Sequence, residues 1–440
     1  MMQLSGKFFS FLFLLIPLFL ITGPALPDIV ITLGLIFGII YFVYHKEYSE
    51  LIKINFIRIS FIFWLSLIII SFFSYNKTNS FQDAFIFIRF LFIPILCYFI
   101  FFKKSEFFKL TLLVIAVLVI FVCIDSFYQF LNYTPENGFG KDLLGFKSDW
   151  YGRLTGPFGD ELIPGSYISK FGLLGFAFLI SIKKFENKII FHSIYLSSIL
   201  FICFISGERM AFATFGLSLI FLFLFLNGFR KSIFLSIIIG IFLISITTYL
   251  HPSYNDFKVI ESTHYHQGKK IEKFFNCIDD KEQICSKIID VQPSFYEIIK
   301  NFKTSAYGEI YLLSFKMFFD NPVTGIGINN FKFLCNNNKD YQNMMIHYEC
   351  SSHPHNIYIQ WLTEGGLTVF ILFILYLSFL IFFIKNNSGE KKYKIISIAI
   401  IIIMFWPIMS TGSLIKNWYG VSTFFIIGLS MCLSKFRNNL

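Results

Sequence analysis

Long apolar runs follow one another along most of this chain, and they restrict it to very few folds. Windows of roughly 17 to 25 apolar residues, the length a helix needs to cross a bilayer, recur near residues 8 to 23, 28 to 44, 56 to 75, 81 to 102, 107 to 131, 162 to 182, 189 to 206, 210 to 227, 232 to 250, 366 to 384, 395 to 411 and 418 to 434. They predict an all-α, polytopic integral membrane protein of about twelve transmembrane helices. Hydrophobic side chains make up 55% of the 440 residues and charged ones only 15%, a balance that excludes an ordinary soluble domain. The first run, "FFSFLFLLIPLFLITG" after Lys7, is short enough to be the apolar region of a signal peptide.

Joining the runs alternately collects Lys46, Lys53, Arg58, Lys103, Lys104, Lys109, Lys183, Lys184, Lys188, Arg230, Lys231, Lys385, Lys391, Lys392 and Lys394 on one side, with Lys7, Lys435 and Arg437 at the termini. The positive-inside rule makes that side, and both termini, cytoplasmic. The formal net charge of +10 is mostly this bias, so it points to no nucleic-acid partner. Four parts follow: N-terminal transmembrane helices over 1–131, transmembrane helices with outer arginine motifs over 132–250, a large outer loop carrying short helices and a histidine motif over 251–365, and C-terminal transmembrane helices over 366–440. Cys97, Cys123, Cys203 and Cys432 sit in or beside spans as packing residues, whereas Cys277, Cys285, Cys335 and Cys350 belong to the outer loop. An oxidising compartment permits disulfides there, in any of three connectivities. A zinc site using these cysteines with His264 and His266 lacks a C-x-x-C spacing in its support.

The densest polar cluster is "SSHPHNIYIQWLTEGG", residues 351 to 366. As a helix with Pro354 in its first turn, it sets Asn356, Gln360 and Glu364 at i, i+4 and i+8, one narrow polar stripe. Gly365 and Gly366 should end or kink it, and His353 and His355 stand at its start on the membrane boundary. Solvated polar residues on an interfacial helix are the plain reading. Two further outward clusters change the balance. "YGRLTGPFGDELIPGSY" supplies Arg153, Asp160 and Glu161, and "SGERMAFATFG" supplies Glu208 and Arg209. Arg209 opens a helix whose free N–H groups Ser206 can cap, a position of positive potential. Two outward arginines beside a histidine helix suit a phosphate-binding reaction centre.

Other signals are weaker. Arg89 lies within a span, with Asp125 of the next span as the expected ion-pair partner and a lipid pyrophosphate as the functional alternative. In "GEIYLLSFKMFFDNPVTGIGINNF", Ile310, Leu313, Met317 and Phe318 recur at helical spacing and suggest an amphipathic helix on the membrane surface. Asn321, Pro322, Gly325 and Gly327 should end it in a plain turn, since "GIG" alone is slight evidence for phosphate binding.

The spans together with "GRLTGPFGDELIPGSY", "GERMA", "NPVTGIGINNF" and "HPHNIYIQWLTEGG" resemble the O-antigen ligase and polymerase superfamily of membrane-embedded lipid-linked glycan transferases, specifically over residues 120 to 370. The resemblance implies a glycan donor on undecaprenyl pyrophosphate at the periplasmic face of the inner membrane, and transfer without a metal or other cofactor. It implies as acceptor a lipid A core for a ligase, or a second lipid-linked glycan for a polymerase. Carried over by motif, His355 is the general base, with His353 as its rival, and Arg153 and Arg209 hold the pyrophosphate as it leaves. His353, Asn356, Gln360, Glu364, Glu161 and Arg89 are assigned to substrate binding. Ligase is the preferred reading, polymerase the alternative. Met210 departs from the family pattern, as does the Cys, His and Lys-containing insertion around 260 to 290. A lipid-linked sugar transporter could use the same arginines, but it would more naturally carry matched polar breaks in both halves of the chain.

Overall fold

The computed structural model describes residues 2–46, 53–103, 105–148, 152–262, 276–277, 285–292, 295–300, 302–345, 348–408 and 410–437. His264 and His266 lie outside the described residues. The N-terminal helices are α1 (Met2–Thr22), α2 (Ala25–Tyr44), α3 (Asn55–Ser71), α4 (Lys77–Ile86), α5 (Ile88–Lys103) and α6 (Ser105–Leu131). The central group is α7 (Pro164–Ser181), α8 (Ile189–Ile205), α9 (Arg209–Phe225) and α10 (Arg230–Leu250). The long loop then carries α11 (Phe295–Lys300), α12 (Ala306–Asp320), α13 (Phe331–Asn337) and α14 (Lys339–Gln342), before α15 (Ile357–Asn386), α16 (Lys391–Met404) and α17 (Asn417–Leu433). Among the described residues, five helices are long and apolar enough to cross a bilayer, and shorter apolar helices accompany them. The protein is an all-α polytopic membrane protein. The long loop also carries a small antiparallel sheet, ordered β1 (Phe257–Ser262), β3 (Cys285–Asp290), β2 (Asn276–Cys277).

Contacts sort the connections into two sets. On one side Arg437 donates to the Ser388 carbonyl, and Lys392 pairs with Glu186 at 2.9 Å. On the other, Leu154 N–H donates to Ser206 O, Tyr75 N–H to Ile326 O, and Thr411 N–H to His355 O. The second set is the loop face, and it holds every polar motif singled out above. Within the helices, serine and threonine hydroxyls bond back to carbonyls a turn earlier, as Ser60 does to Phe56 and Ser397 to Tyr393, which satisfies them where water is absent.

The structure corrects several expectations. Arg89 pairs with Asp28 at 2.9 Å and donates to Asn417 at 2.7 Å; Asp125 instead accepts the Leu143 N–H. The stripe Ile310, Leu313 and Met317 of α12 does not rest on the membrane surface. It is buried in a second core with Phe331, Leu334 and Tyr341. Phe318 is only half-buried, and Leu312, Phe315 and Phe319 are the exposed apolar residues of that helix. The Cys335–Cys350 disulfide closes this core across 15 residues, a loop length for which a crosslink contributes about 3 kcal/mol. That bond removes both sulfurs from any zinc site. In the sheet, the backbone register aligns Cys277 with Cys285.

The span expected at 395 to 411 stops at Met404, because Pro407 lacks a helix-compatible N–H and disfavours helix before it. The described residues between Met404 and α17, 405–408 and 410–416, are therefore non-helical, with Phe405, Leu414 and Ile415 packed in the main core and the polar run at 410–413 between them. The histidine motif does open a short helical piece that ends at a kink at Gly366, as expected, but Pro354 is not in its first turn. Asn356 is the N-cap, its Oδ1 accepting from Tyr358 and Ile359, and α15 runs from Ile357 to Asn386.

Helix α15 is kinked at Gly366, which adopts φ 62° and ψ −168°, a combination open essentially to glycine. The kink frees the carbonyls of Thr363 and Glu364 from their own helix. They accept instead from Ile326 N–H at 3.0 Å and Gly327 N–H at 2.9 Å, while Leu367 N–H and Thr368 N–H turn to the carbonyls of Pro322 and Val323. The "NPVTGIG" turn is thus spliced into the interrupted helix, and a Cβ at Gly366 would stand 2.3 Å from Val323 O. Replacing Gly366 with Ala should destabilise the protein by about 1–3 kcal/mol, read as a lower melting temperature in detergent. Wild-type melting would contradict the splice.

Candidate functional site

Three segments meet on the loop face: 152–166, 206–214 and 351–364. Gln129 of α6 holds the first, its Oε1 accepting from Thr155 N–H at 3.0 Å and Gly156 N–H at 2.9 Å. This fixes Arg153, which donates to Leu162 O at 2.9 Å and, among the described residues, leaves its buried Nε without a partner. The second segment packs directly against it. Gly207, at φ 76°, brings the chain so near that a Cβ would meet Gly152 O at 2.4 Å. Arg153 and Arg209 consequently come close enough to repel.

Glu208 would be expected to neutralise this pair, yet its two oxygens are occupied elsewhere. Oε1 accepts from Gly165 N–H at 2.6 Å and Oε2 from Ser166 N–H at 3.0 Å. It therefore caps α7, whose first position is Pro164 and whose N-terminal N–H groups attract an anion. Ser206 does not cap α9 as expected; its Oγ donates to Cys203 O and accepts from Glu208 N–H.

The third segment carries the histidines. Asn356, Gln360 and Glu364 form the expected stripe, and all three are buried. Asn356 Nδ2 donates to Pro407 O, and Gln360 Nε2 donates to Glu364 at 3.1 Å and to Ser413 at 2.8 Å. The stripe thereby clamps the 405–416 loop against the helix start. That loop in turn holds His355, whose carbonyl accepts from Thr411 N–H at 2.8 Å. His355 has φ 53°, a left-handed conformation that costs a non-glycine residue about 1–2 kcal/mol. Strain of this kind persists where its surroundings enforce it.

The two histidines differ in their hydrogen bonding. His353 Nε2 lies 3.3 Å from Thr411 O, which can only accept, so this nitrogen carries the proton. Nδ1 then accepts from the Ser352 hydroxyl at 2.9 Å. Burial first, then His355, pushes His353 down to about 4, so it is neutral near pH 7 with both nitrogens engaged. His355 stacks on it with ring centroids 4.1 Å apart and meets Tyr307 edge-on at 5.4 Å. Among the described residues its ring nitrogens have no hydrogen-bond partner. Burial also holds His355 below the usual histidine range, so its neutral form persists into mild acid.

A cavity of about 560 Å³ joins these segments, with Glu161, Met210, His353 and Thr411 in its wall. The structure thus brings Glu161 and His353 to one space, with Arg209 next to Met210 and His355 stacked behind His353. Arg153, Arg209 and His355 border the cavity without lining it. Arg89 is held apart in its Asp28 and Asn417 contacts. Gln129 and the 405–416 loop escaped the sequence reading. The run "STGS" at 410–413, polar inside an apolar stretch, was the signal for the loop; Gln129 gave none.

The arrangement offers an unengaged neutral base, two crowded guanidinium groups and a semi-enclosed chamber at a membrane boundary, the elements of transfer from an anionic leaving group. No curated protein matches the chain. A family model does: that of O-antigen ligase matches residues 194–374, from within α8 through the kink of α15, so this stretch, which holds Arg209 and both histidines, is similar to O-antigen ligase.

Proposed function

We propose that the protein is an O-antigen ligase-type glycosyltransferase. It moves a glycan from undecaprenyl pyrophosphate to a hydroxyl of a lipid A core or related acceptor, at the periplasmic face of the bacterial inner membrane. The observation that carries this reading is the contrast between the histidines: His353 is locked by two hydrogen bonds, and His355 is held strained, neutral and available beside it. The similarity of residues 194–374 to O-antigen ligase supports the reaction class, and the Cys335–Cys350 bond on the loop face supports an oxidising compartment there. The lysine-rich connections and both termini are then cytoplasmic.

In the proposed step the acceptor hydroxyl attacks the anomeric carbon of the lipid-linked sugar. Its proton passes to His355 as the new C–O bond forms. The bond from the anomeric carbon to the phosphate oxygen breaks, and undecaprenyl pyrophosphate leaves with the electron pair. Attack opposite the leaving group inverts the anomeric centre. Arg153 and Arg209 offset the charge that develops on the pyrophosphate, as preorganised donors do in an oxyanion hole. Glu208 stands beside them as the local counter-charge, attracted to Arg153 and hydrogen-bonded to the start of α7, which leaves the pair of guanidinium groups with a net positive charge. Asn356, Gln360 and Glu364 act on the reaction through the loop that fixes His355, and no step requires a metal.

His355→Ala should lower glycan transfer by about 100-fold or more while the protein accumulates in the membrane as the wild type does; transfer at the wild-type rate would remove His355 as the base. Arg209→Lys keeps the charge but loses the planar fork, and should reduce kcat/KM for the lipid donor by about tenfold; unchanged donor kinetics would exclude fork-like recognition of phosphate. The base works only when neutral, so activity falls as pH drops through its lowered pKa. The acid limb of kcat/KM should therefore lie below the ordinary value of about 6.5. A limb at or above that value would contradict the assignment.

A further inference from the structure

The cavity contains a cation that the proposed mechanism does not use. Lys170 stands on α7 six residues beyond its first position, about 9 Å into the helix at the usual rise, and is only 5% exposed. Its Nζ lies 4.1 Å from the centroid of the Tyr419 ring and 5.8 Å from that of Trp418. Among the described residues it has no hydrogen-bond or ion-pair partner; Glu208, hydrogen-bonded to the start of α7, attracts it without touching it. An ammonium group held within a membrane bundle is costly unless it faces a partner or a wet pathway. Lys170 faces the cavity.

The rest of the wall is of two kinds. Leu20, Ile21, Ile403 and Trp418 give it an apolar side, whereas Lys416, His353 and Glu161 stand towards the loop face, so that with Lys170 two lysines stand against one carboxylate. Helix α1 belongs to this wall because Trp418 Nε1 donates to Leu20 O at 2.8 Å and the Tyr167 hydroxyl donates to Pro17 O at 2.9 Å. One end of the space thus suits an anion and the adjoining side suits a hydrocarbon chain.

We propose that Lys170 is a binding residue for the phosphate end of an isoprenoid-linked pyrophosphate, with the apolar wall receiving the first isoprene units. The inference rests on the lipid-linked donor reading above and adds to it a site deeper than the arginine pair. Cation–π contact with Tyr419 and Trp418 holds the ammonium group in place without neutralising it, so its charge stays available to an incoming oxyanion. Phospholipid headgroups share the phosphate chemistry, and the test separates them from isoprenoid pyrophosphate.

The experiment measures binding of farnesyl pyrophosphate to the purified full-length protein in detergent, with farnesol and phosphatidylglycerol as parallel ligands and neither glycan nor acceptor present. Glycan transfer, measured separately, judges the transferase reading; binding judges Lys170. The wild type should bind farnesyl pyrophosphate at least tenfold more tightly than farnesol or phosphatidylglycerol. Lys170→Met should lose at least tenfold of that affinity with farnesol binding unchanged, and Lys170→Arg should keep at least a third of it. Equal affinity in Lys170→Met, a loss in Lys170→Arg as large as in Met, or equally tight phosphatidylglycerol binding would overturn the proposal. The wild-type fold supplies an independent reading, because ligand in this cavity should change Trp418 fluorescence. The change should disappear in Trp418→Phe; its persistence there would place the ligand elsewhere and overturn the assignment.

Discussion

An α-helix broken inside a membrane must find partners for the backbone groups that the break releases, and in this protein that requirement positions the site. The kink at Gly366 frees the carbonyls of Thr363 and Glu364, and the 321–327 turn supplies their donors while taking the N–H groups of Leu367 and Thr368 in exchange. The same turn continues into Ile328, whose N–H donates to Ser80, and into Asn329 and Asn330, bound to Asp83 and to Asn76 N–H. One irregular segment therefore ties the long loop to two parts of the bundle. The loop's own core, closed by the Cys335–Cys350 bond, hangs from this anchor and leads directly into the histidine motif.

The placement of the candidate site residues follows from how buried polar atoms are satisfied. Gln129 bonds the backbone that presents Arg153, Asn356 and Gln360 clamp the 405–416 loop, and that loop holds His355 in a left-handed conformation. Each of these groups would be costly if left unpaired away from water, so removing one exposes a second. Glu208 illustrates the electrostatic side. Capping a helix engages both carboxylate oxygens, which fixes this acid in place beside Arg153. Burial acts on the histidines in the opposite sense, favouring the neutral imidazole that a base requires.

Fold class was legible because hydropathy over a bilayer's thickness is a signal carried by many residues at once. The polar stripe at 356, 360 and 364 was legible for a similar reason, since helical period fixes its face. Pairings between distant elements were not. Proximity along the chain pointed Arg89 to Asp125, and only geometry selects Asp28; nothing in the sequence tied Glu208 to the start of α7 that it caps. Pro354 signalled a helix start, but the left-handed turn at His355 moved that start to Asn356. Lys170 sits in "GSYISKFGLLG" like any lysine near a span, and only the cavity in front of it distinguishes it. The amphipathic period of α12 identified a helix correctly while leaving open which of its faces was covered.

The central claim is that this chain itself transfers a lipid-linked glycan. Purified protein in liposomes, given undecaprenyl-pyrophosphate-linked glycan with or without a lipid A core acceptor and with EDTA throughout, tests it most directly. The account predicts glycan on the core, undiminished by the chelator, and no product when the core is omitted. Chain growth on the lipid carrier without core would contradict the ligase reading in favour of a polymerase, and donor crossing the bilayer with no product in either arm would contradict the enzyme altogether.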